Sequence, residues 1–325
     1  MERERAAETT SEPRDVQLSV VTTMYRSAPY LREFHRRAAA AVSGRFARIE
    51  FIFVNDGSPD ESLELALELQ RDDPRITIVD LSRNFGHHHA LVAGLEHATG
   101  ETVFLLDCDL EEPPESFEVL LDAMHAQGAD VAFGVQFSRK GGAIERRGGA
   151  LAYRIVDLLA GDLRLPPDTL QARVMTRRYV DSFLQHGESA IVFSYLAATT
   201  GFRQIAVPMN KLSKGSTTYG LWKRIGTFVD TITAFSARPL HFIAYLGLAI
   251  LISSFAYIAY LTVVYLVQRS VPAGYTSLAV AIWLLGGLIL FSIGVVAIYL
   301  SIIFVEVKHR PRYVVRDVHR RSADR

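Results

Sequence analysis

Two carboxylates spaced two residues apart, Asp107 and Asp109, are the side chains of this sequence that point most directly to chemistry. They follow an apolar run of strand length at 103–106, and two prolines then open a predicted helix at 115–127. Hard divalent cations such as Mg²⁺ and Mn²⁺ prefer carboxylate oxygen, which Mg²⁺ commonly shares with substrate phosphates. The pattern therefore predicts a metal–diphosphate site. An acidic first turn of a helix, which the helix dipole favours, is the simpler interpretation.

Alternating strands and helices would position these carboxylates at one rim of a sheet. Apolar runs predict buried strands at 18–23, 50–54, 76–81, 102–106 and 131–136. Helical segments are predicted between them, at 28–42, 61–71 and 86–97. This alternation is typical of an α/β fold with a doubly wound, mostly parallel sheet. The polar turn at 55–60 and the acidic turn at 107–112 would then lie on the same rim, where such sheets bind ligands.

Net charge and cysteine content bear on the binding partners and on the redox compartment of the protein. The 325 residues carry a net charge of zero, which gives no indication of a nucleic-acid partner. The single cysteine, Cys108, excludes an intrachain disulfide and fits a reducing compartment. Residues 1–16 are polar and charged, so we expect a disordered leader there rather than a signal peptide.

Two long apolar runs, at 240–267 and 276–305, predict a pair of transmembrane helices within 239–306. Each run exceeds the roughly 20 residues that cross a bilayer. The turn between them carries only Arg269, whereas both outer flanks are basic, through Lys223, Arg224 and Arg238 before the pair and Lys308, Arg310, Arg312 and Arg316 after it. By the positive-inside rule, these flanks predict a hairpin in the cell membrane, with the α/β domain, both termini and a basic tail at 307–325 in the cytoplasm.

Several segments together resemble those of a known enzyme family. They are the turns at 54–58, 82–86 and 107–110, and the membrane flanks at 236–240 and 307–316. The chain resembles, nearly throughout from Leu18, the GT-A glycosyltransferases of family 2. Within them it is similar to the membrane-anchored polyprenyl-phosphate glycosyltransferases related to dolichol-phosphate mannose synthase. The resemblance implies a Rossmann-like GT-A catalytic domain at 17–219.

The resemblance also implies a role for each matching residue. Asp56 would accept a hydrogen bond from the base of a UDP- or GDP-linked sugar, and Arg83 and Gly86 would shape the nucleotide pocket. Asp107 would face the ribose, and Asp109 would bind the Mg²⁺ or Mn²⁺ ion that bridges the diphosphate, with Asp107 as a further metal ligand. Thr22 and Tyr25 complete the predicted donor site, and Arg173 joins Asp109 among the predicted catalytic residues. A turn-forming role for Asp56 and a surface role for Arg83 are the alternatives.

The chain departs from the family at Gln171. Many members place an acidic residue there, proposed as the base near the acceptor, whereas glutamine cannot take a proton at neutral pH. A phosphate acceptor, with a second pKa of about 6, is already mostly dianionic at pH 7 and needs little deprotonation. The departure therefore favours a phosphate over a sugar hydroxyl as acceptor. Asp168 and Glu188 are alternative bases.

Two basic segments suit the anionic acceptor. Lys211, Lys214 and Ser216 lie beside a glycine turn, a combination that favours an anionic headgroup. The glycine-rich tract at 138–149, which includes Arg147, is either a solvated loop or a lid over phosphates. An apolar stripe along 220–238 predicts an amphipathic helix at the membrane interface, with a core helix as the alternative.

Three consecutive histidines, 87–89, do not form a metal site. Consecutive helical residues point about 100° apart, so the three rings cannot chelate one ion together. The alternative to a shared metal site is that one histidine contacts the donor pocket and the others lie on the helix surface.

Together with the motifs above, the resemblance implies a metal-dependent, inverting glycosyltransferase that moves one sugar from a nucleotide donor to a polyprenyl phosphate at the membrane. Transfer to a sugar hydroxyl of a glycolipid or polysaccharide is the first alternative. A non-catalytic scaffold that kept the fold, suggested by Gln171, is the second. A homo-oligomer is compatible with all three.

Overall fold

An eight-stranded mixed sheet forms the centre of the N-terminal unit. The computed structural model describes residues 15–136, 169–186, 193, 196–197, 200–210, 238–268 and 274–321. The strands are β1 Leu18–Met24, β2 Ile49–Asn55, β3 Ile76–Leu81, β4 Thr102–Leu105, β5 Val131–Gln136, β6 Thr169–Thr176, β7 Gln204–Met209 and β8 Val315–His319. Their order across the sheet is β7-β5-β6-β4-β1-β2-β3-β8.

Helices cover both faces of this sheet. They are α1 Ala28–Val42, α2 Ser62–Asp72, α3 His87–His97, α4 Ser116–Gln127 and α5 Arg177–Leu184. One core cluster contains buried residues of α1, α2 and α4, and the cluster on the opposite face contains those of α3 and α5. The apolar strands are thus buried on both sides, as parallel strands require. The predicted doubly wound α/β fold is confirmed.

The parallel part of the sheet is β4-β1-β2-β3, in which each neighbouring pair is parallel. β6 is antiparallel to both β4 and β5, and β7 is parallel to β5. β6 and β7 were not predicted from the sequence. The carboxyl ends of β1, β2, β3 and β4 all meet at one rim, which positions the turns that follow them.

The segment after residue 307, predicted as a tail, contributes to the sheet. Val315–His319 form β8, which is antiparallel to β3 and closes that edge of the sheet. Its two exposed side chains, Arg316 and Asp317, are charged, as is typical of a short edge strand.

A second unit contains two helices, α6 Arg238–Gln268 and α7 Tyr275–Val307. Both are long and apolar enough to cross a membrane, over Leu240–Tyr257 and Leu285–Val307. Their bounds agree closely with the apolar runs of the sequence. The predicted leader, apart from its last two residues, and the predicted interfacial helix, apart from Arg238, lie outside the described residues.

Candidate active site

Asp56 lies at the carboxyl end of β2, held between two loops of the rim. Its side chain is 3% exposed. Oδ1 accepts a hydrogen bond from the backbone N–H of Phe85 at 2.7 Å, and Oδ2 accepts one from that of Gly86 at 3.0 Å. Burial raises the pKa of Asp56 above its usual value, against the opposing effect of these two donors. A carboxylate has about four lone-pair sites, so it can still accept a further hydrogen bond from a ligand.

The loop after β2 and the loop after β3 touch each other directly. Gly57 has a φ of +58°, and a Cβ added there would lie 2.4 Å from the backbone nitrogen of Asn84. Only glycine fits this close approach, because any side chain would push the two loops apart. Gly86, with a φ of +97°, begins α3 and presents its N–H to Asp56. The two loops therefore lie against each other beside Asp56.

Asp107 and Asp109 lie after β4 on the same rim, with Cys108 turned inward between them. Cys108 is 3% exposed, and its Sγ–H donates to the backbone oxygen of Thr23 at 3.0 Å. Burial raises the pKa of Cys108 to about 12, so it remains a thiol that anchors the turn to β1. Both aspartates are half-buried, and Oδ1 of Asp109 accepts from the N–H of Glu111 at 3.0 Å. The buried thiol thus leaves two partly exposed carboxylates at the rim.

These two carboxylates fit a divalent cation that takes its remaining ligands from substrate. Among the described residues, no group of three or more His, Cys, Asp or Glu side chains could hold a metal ion. Mg²⁺ is commonly bound by one or two carboxylates together with substrate phosphates and water rather than by a complete protein cage. The donor set at Asp107 and Asp109 is of this incomplete kind.

His87 joins the two sides of the rim. Its Nε2 lies 3.6 Å from Oδ1 of Asp107, and its Nδ1 lies 3.3 Å from Oγ1 of Thr23. His88 is mostly buried instead, and burial lowers its pKa to about 4, so it is neutral at pH 7. Of the three histidines, His87 is the one that lies beside an aspartate of the predicted site, and its contact with the donor stays a prediction. The expectation that the other two lie on the helix surface does not hold for His88.

The other predicted donor residues differ in exposure: Tyr25 and Arg83 are exposed, whereas Thr22 is buried. Tyr25 is 46% exposed just after β1, and the Arg26 guanidinium lies 5.6 Å from its ring. Arg83 is exposed and stacks on Phe85, with its guanidinium 4.1 Å from the ring centroid. Both can reach a ligand at the rim.

The Thr22 side chain, by contrast, is 0% exposed within β1. Side chains alternate across a strand, so Thr23 instead faces the α3 side and contacts His87. The structure therefore buries the Thr22 side chain, and a role for Thr22 in donor binding stays a prediction.

Arg173 is also buried, at 2% exposed, in β6. It donates to the backbone oxygens of Gln171 at 3.0 Å and Leu170 at 3.2 Å, and its guanidinium lies 4.6 Å from the ring centroid of Phe193. Burial lowers its pKa, although a guanidinium remains charged at pH 7. In this arrangement the Arg173 side chain is held by the backbone of β6 and by Phe193, and its catalytic role stays a prediction.

Glu112 is a functional neighbour that the sequence analysis missed. It is 3% exposed, and its two oxygens accept from the backbone N–H groups of Gln171 at 3.1 Å and Ala172 at 2.5 Å. It thereby fixes β6 to the acidic turn that carries Asp109. Its position directly before two prolines did not indicate this role in the sequence, because metal binding by Asp107 and Asp109 already explained the acidic turn.

Gln171 lies in β6 beside this contact. The nitrogen of its side-chain amide is buried and has no hydrogen-bond partner among the residues that the structure describes. Its backbone position is set by Glu112. The predicted residues Arg147, Asp168, Glu188, Lys211, Lys214 and Ser216 lie outside the described part of the chain.

Comparisons with known proteins agree with this geometry. Residues 19–200 match the domain of glycosyl transferase family 2. A Mycobacterium tuberculosis protein described among the glycosyltransferases is 45% identical over 94% of this chain and 89% of its own length. The uncharacterized glycosyltransferase YkcC of Bacillus subtilis is 32% identical over 93% of this chain and 94% of its own. The SfII prophage-derived bactoprenol glucosyl transferase of Shigella flexneri is 29% identical, over 94% and 99% respectively.

Proposed function

Because the chain belongs to glycosyl transferase family 2, we propose that it transfers one sugar from a nucleotide-sugar donor to a polyprenyl phosphate, at the cytoplasmic face of a membrane. The observation that carries this proposal is the placement of Asp56, Asp107 and Asp109 on one rim of the sheet. That rim offers an acceptor for a nucleotide base and two carboxylates for a metal-bound diphosphate. The bactoprenol glucosyl transferase relative, similar along 94% of this chain, supports a lipid phosphate as the acceptor.

The donor would be held at both ends of its nucleotide. Asp56 accepts a hydrogen bond from an N–H of the base, while the loops at 55–58 and 82–86 enclose it. Asp107 and Asp109 would hold Mg²⁺ or Mn²⁺, and that ion would supply neutralisation of charge on the departing diphosphate. Tyr25 and Arg83, exposed at the rim, are in reach of the same nucleotide.

The reaction then needs no protein base. An oxygen of the lipid phosphate attacks the anomeric carbon, and the bond from that carbon to the diphosphate oxygen breaks. The electron pair leaves with the nucleoside diphosphate, and a single displacement inverts the configuration at carbon. The attacking phosphate is mostly dianionic at pH 7, because its second pKa is about 6. A neutral Gln171 beside the acceptor is compatible with such a nucleophile. The cations Lys211, Lys214 and Arg147 and the hydroxyl of Ser216 are proposed to bind it.

The test is a screen of nucleotide sugars against polyprenyl phosphate in detergent, with the product lipid identified by mass. Asp109→Asn should lower metal-dependent transfer at least about 100-fold, since the cation supplies several kcal/mol of charge stabilisation. Asp122→Asn, the same change at a position 61% exposed on α4, is the matched control and should keep wild-type turnover. Near-normal turnover of Asp109→Asn with unchanged Mn²⁺ dependence would overturn the metal assignment. Transfer to a lipid-linked sugar but not to the lipid phosphate would overturn the acceptor.

A further inference from the structure

Arg316 occupies an irregular position in the strand that follows the second apolar helix. In the pairing of β3 with β8, Asp80 lies opposite Asp317 and Leu81 lies opposite Val315. Arg316 is therefore the extra residue of a β-bulge. Bulges bend a strand and redirect a side chain, and they are frequent beside active sites. Here the guanidinium is directed back across β3.

The first contact of Arg316 leads to the loop after β2. Its Nη1 lies 3.4 Å from Oδ2 of Asp80, a carboxylate that is 2% exposed. Oδ1 of Asp80 accepts a hydrogen bond from the Asn55 side-chain amide at 2.8 Å. Asn55 in turn accepts one from the backbone N–H of Ser58 at 3.1 Å. A buried carboxylate requires a charged or hydrogen-bonded partner, so Arg316 fixes Asp80 and, through it, the loop that contains Asp56.

The second contact leads to the loop after β3. Nη2 of Arg316 donates to the backbone oxygen of Ser82 at 2.7 Å, while the N–H of Ser82 donates to the oxygen of Val314 at 2.9 Å. Ser82 begins the loop whose Phe85 and Gly86 N–H groups bind Asp56. Arg316 is therefore linked to both loops around Asp56: to the loop after β3 directly through Ser82, and to the loop after β2 through Asp80 and Asn55.

We propose that Arg316 is a positioning residue for the donor-nucleotide pocket, acting through Asp80 and Ser82 on the loops at 55–58 and 82–86. This inference rests on the proposed function, in which Asp56 binds the base of the donor. The side chain that orders the pocket comes from the far end of the chain, after the apolar helices. It should affect the affinity for the nucleotide and leave the chemical step and the lipid site unchanged.

The test compares Arg316→Ala and Arg316→Lys with Arg321→Ala in the full chain. Arg321 lies in the same C-terminal segment and donates to the Arg71 backbone oxygen at 2.6 Å, away from both loops, which makes it a matched control. For Arg316→Ala we expect the donor KM and the Kd for the free nucleoside diphosphate, UDP or GDP, to rise roughly 10-fold or more. That range is typical of lost charge-assisted hydrogen bonds. kcat should stay within about threefold, and the lipid KM should not change.

Arg316→Lys should fall between wild type and Arg316→Ala, because an ammonium keeps a charge near Asp80 but lacks the planar fork that spans two acceptors. It also keeps the test decisive if Arg316→Ala fails to fold. Arg321→Ala should leave nucleotide binding unchanged. Equal nucleotide Kd values for the Arg316 variants and Arg321→Ala would overturn the inference, as would a fall in kcat with donor affinity unchanged.

Asp56→Ala separates this inference from the proposed function. Weaker nucleotide binding by Asp56→Ala together with wild-type binding by Arg316→Ala would reject the positioning role alone. Wild-type nucleotide binding by Asp56→Ala would reject the base pocket itself, and with it the premise of the inference.

Discussion

Gln171 stands at the position where the resemblance to the family predicts an acidic residue near the acceptor. Its backbone N–H donates to the buried Glu112 of the acidic turn at 3.1 Å, and the nitrogen of its side-chain amide is buried. A glutamine at this position can donate or accept a hydrogen bond but cannot remove a proton. The identity of the acceptor therefore determines whether the enzyme needs a protein base. A phosphate dianion needs none, whereas a hydroxyl needs one.

Gln171→Ala should cost little activity with a lipid phosphate, and Gln171→Asp should slow the reaction, because a carboxylate would repel the dianionic acceptor. The pH–rate profile of the wild type should fall on the acid side near pH 6, where the phosphate takes up its second proton. Rates of these variants with a lipid phosphate and with a lipid-linked sugar provide the measurement. Gln185→Asp, at an exposed position after α5, is the control.

A Gln171→Asp enzyme that is faster than wild type on the lipid-linked sugar would contradict this interpretation. So would the loss of all activity in Glu188→Gln, because a protein base would then be required.

Individual site residues could be predicted where strand ends alone decided their position. Asp56, Asp107 and Asp109 follow apolar strands, and the structure brings all three to one rim. Thr22 and Arg173 could not be placed in this way, because which face of a strand is covered depends on helices far away in the sequence. Glu112 was missed because its partners, the backbone N–H groups of β6, carry no sequence signal.

At the scale of elements, β6 is the strand that sequence patterns could not identify. It inserts antiparallel between β4 and β5, so its pairing is long-range, and it contains the polar Gln171 and the buried Arg173. β7 contains Pro208, which breaks the usual strand pattern, and β8 is charged and short. The parallel strands were predictable because burial on both faces makes them continuously apolar.

Glu112→Gln should destabilise the sheet unit, because an amide can accept from only one of the two backbone N–H groups. The other would lose its partner inside the protein, which costs about 1–3 kcal/mol. We expect the Tm of the protein in detergent to fall by roughly 3–10 °C. Glu118→Gln, the same substitution at an exposed position of α4, is the control and should leave the Tm unchanged. Equal Tm values for the two variants would show that Glu112 does not hold β6 in place.

At the scale of the whole molecule, the chain leaves the sheet unit and later returns to it. The apolar helices α6 and α7 separate β7 from β8, yet β7 and β8 belong to the same sheet. Both ends of the apolar region must therefore lie on one side of any membrane it enters, which requires an even number of crossings. This constraint is independent of charge, and it agrees with the basic flanks expected inside by the positive-inside rule.

We therefore predict that both termini face the cytoplasm and that the short turn between α6 and α7 faces the opposite side. In sealed cells, tags at either terminus should be protected from protease added outside, whereas a cleavage site inserted into that turn should be cut. Permeabilised cells, in which all three sites should be cut, provide the control for accessibility. Cleavage of the C-terminal tag in sealed cells would contradict the hairpin. Because β8 pairs with β3, it would also require the catalytic sheet itself to lie outside, where a cytoplasmic nucleotide sugar could not reach Asp56.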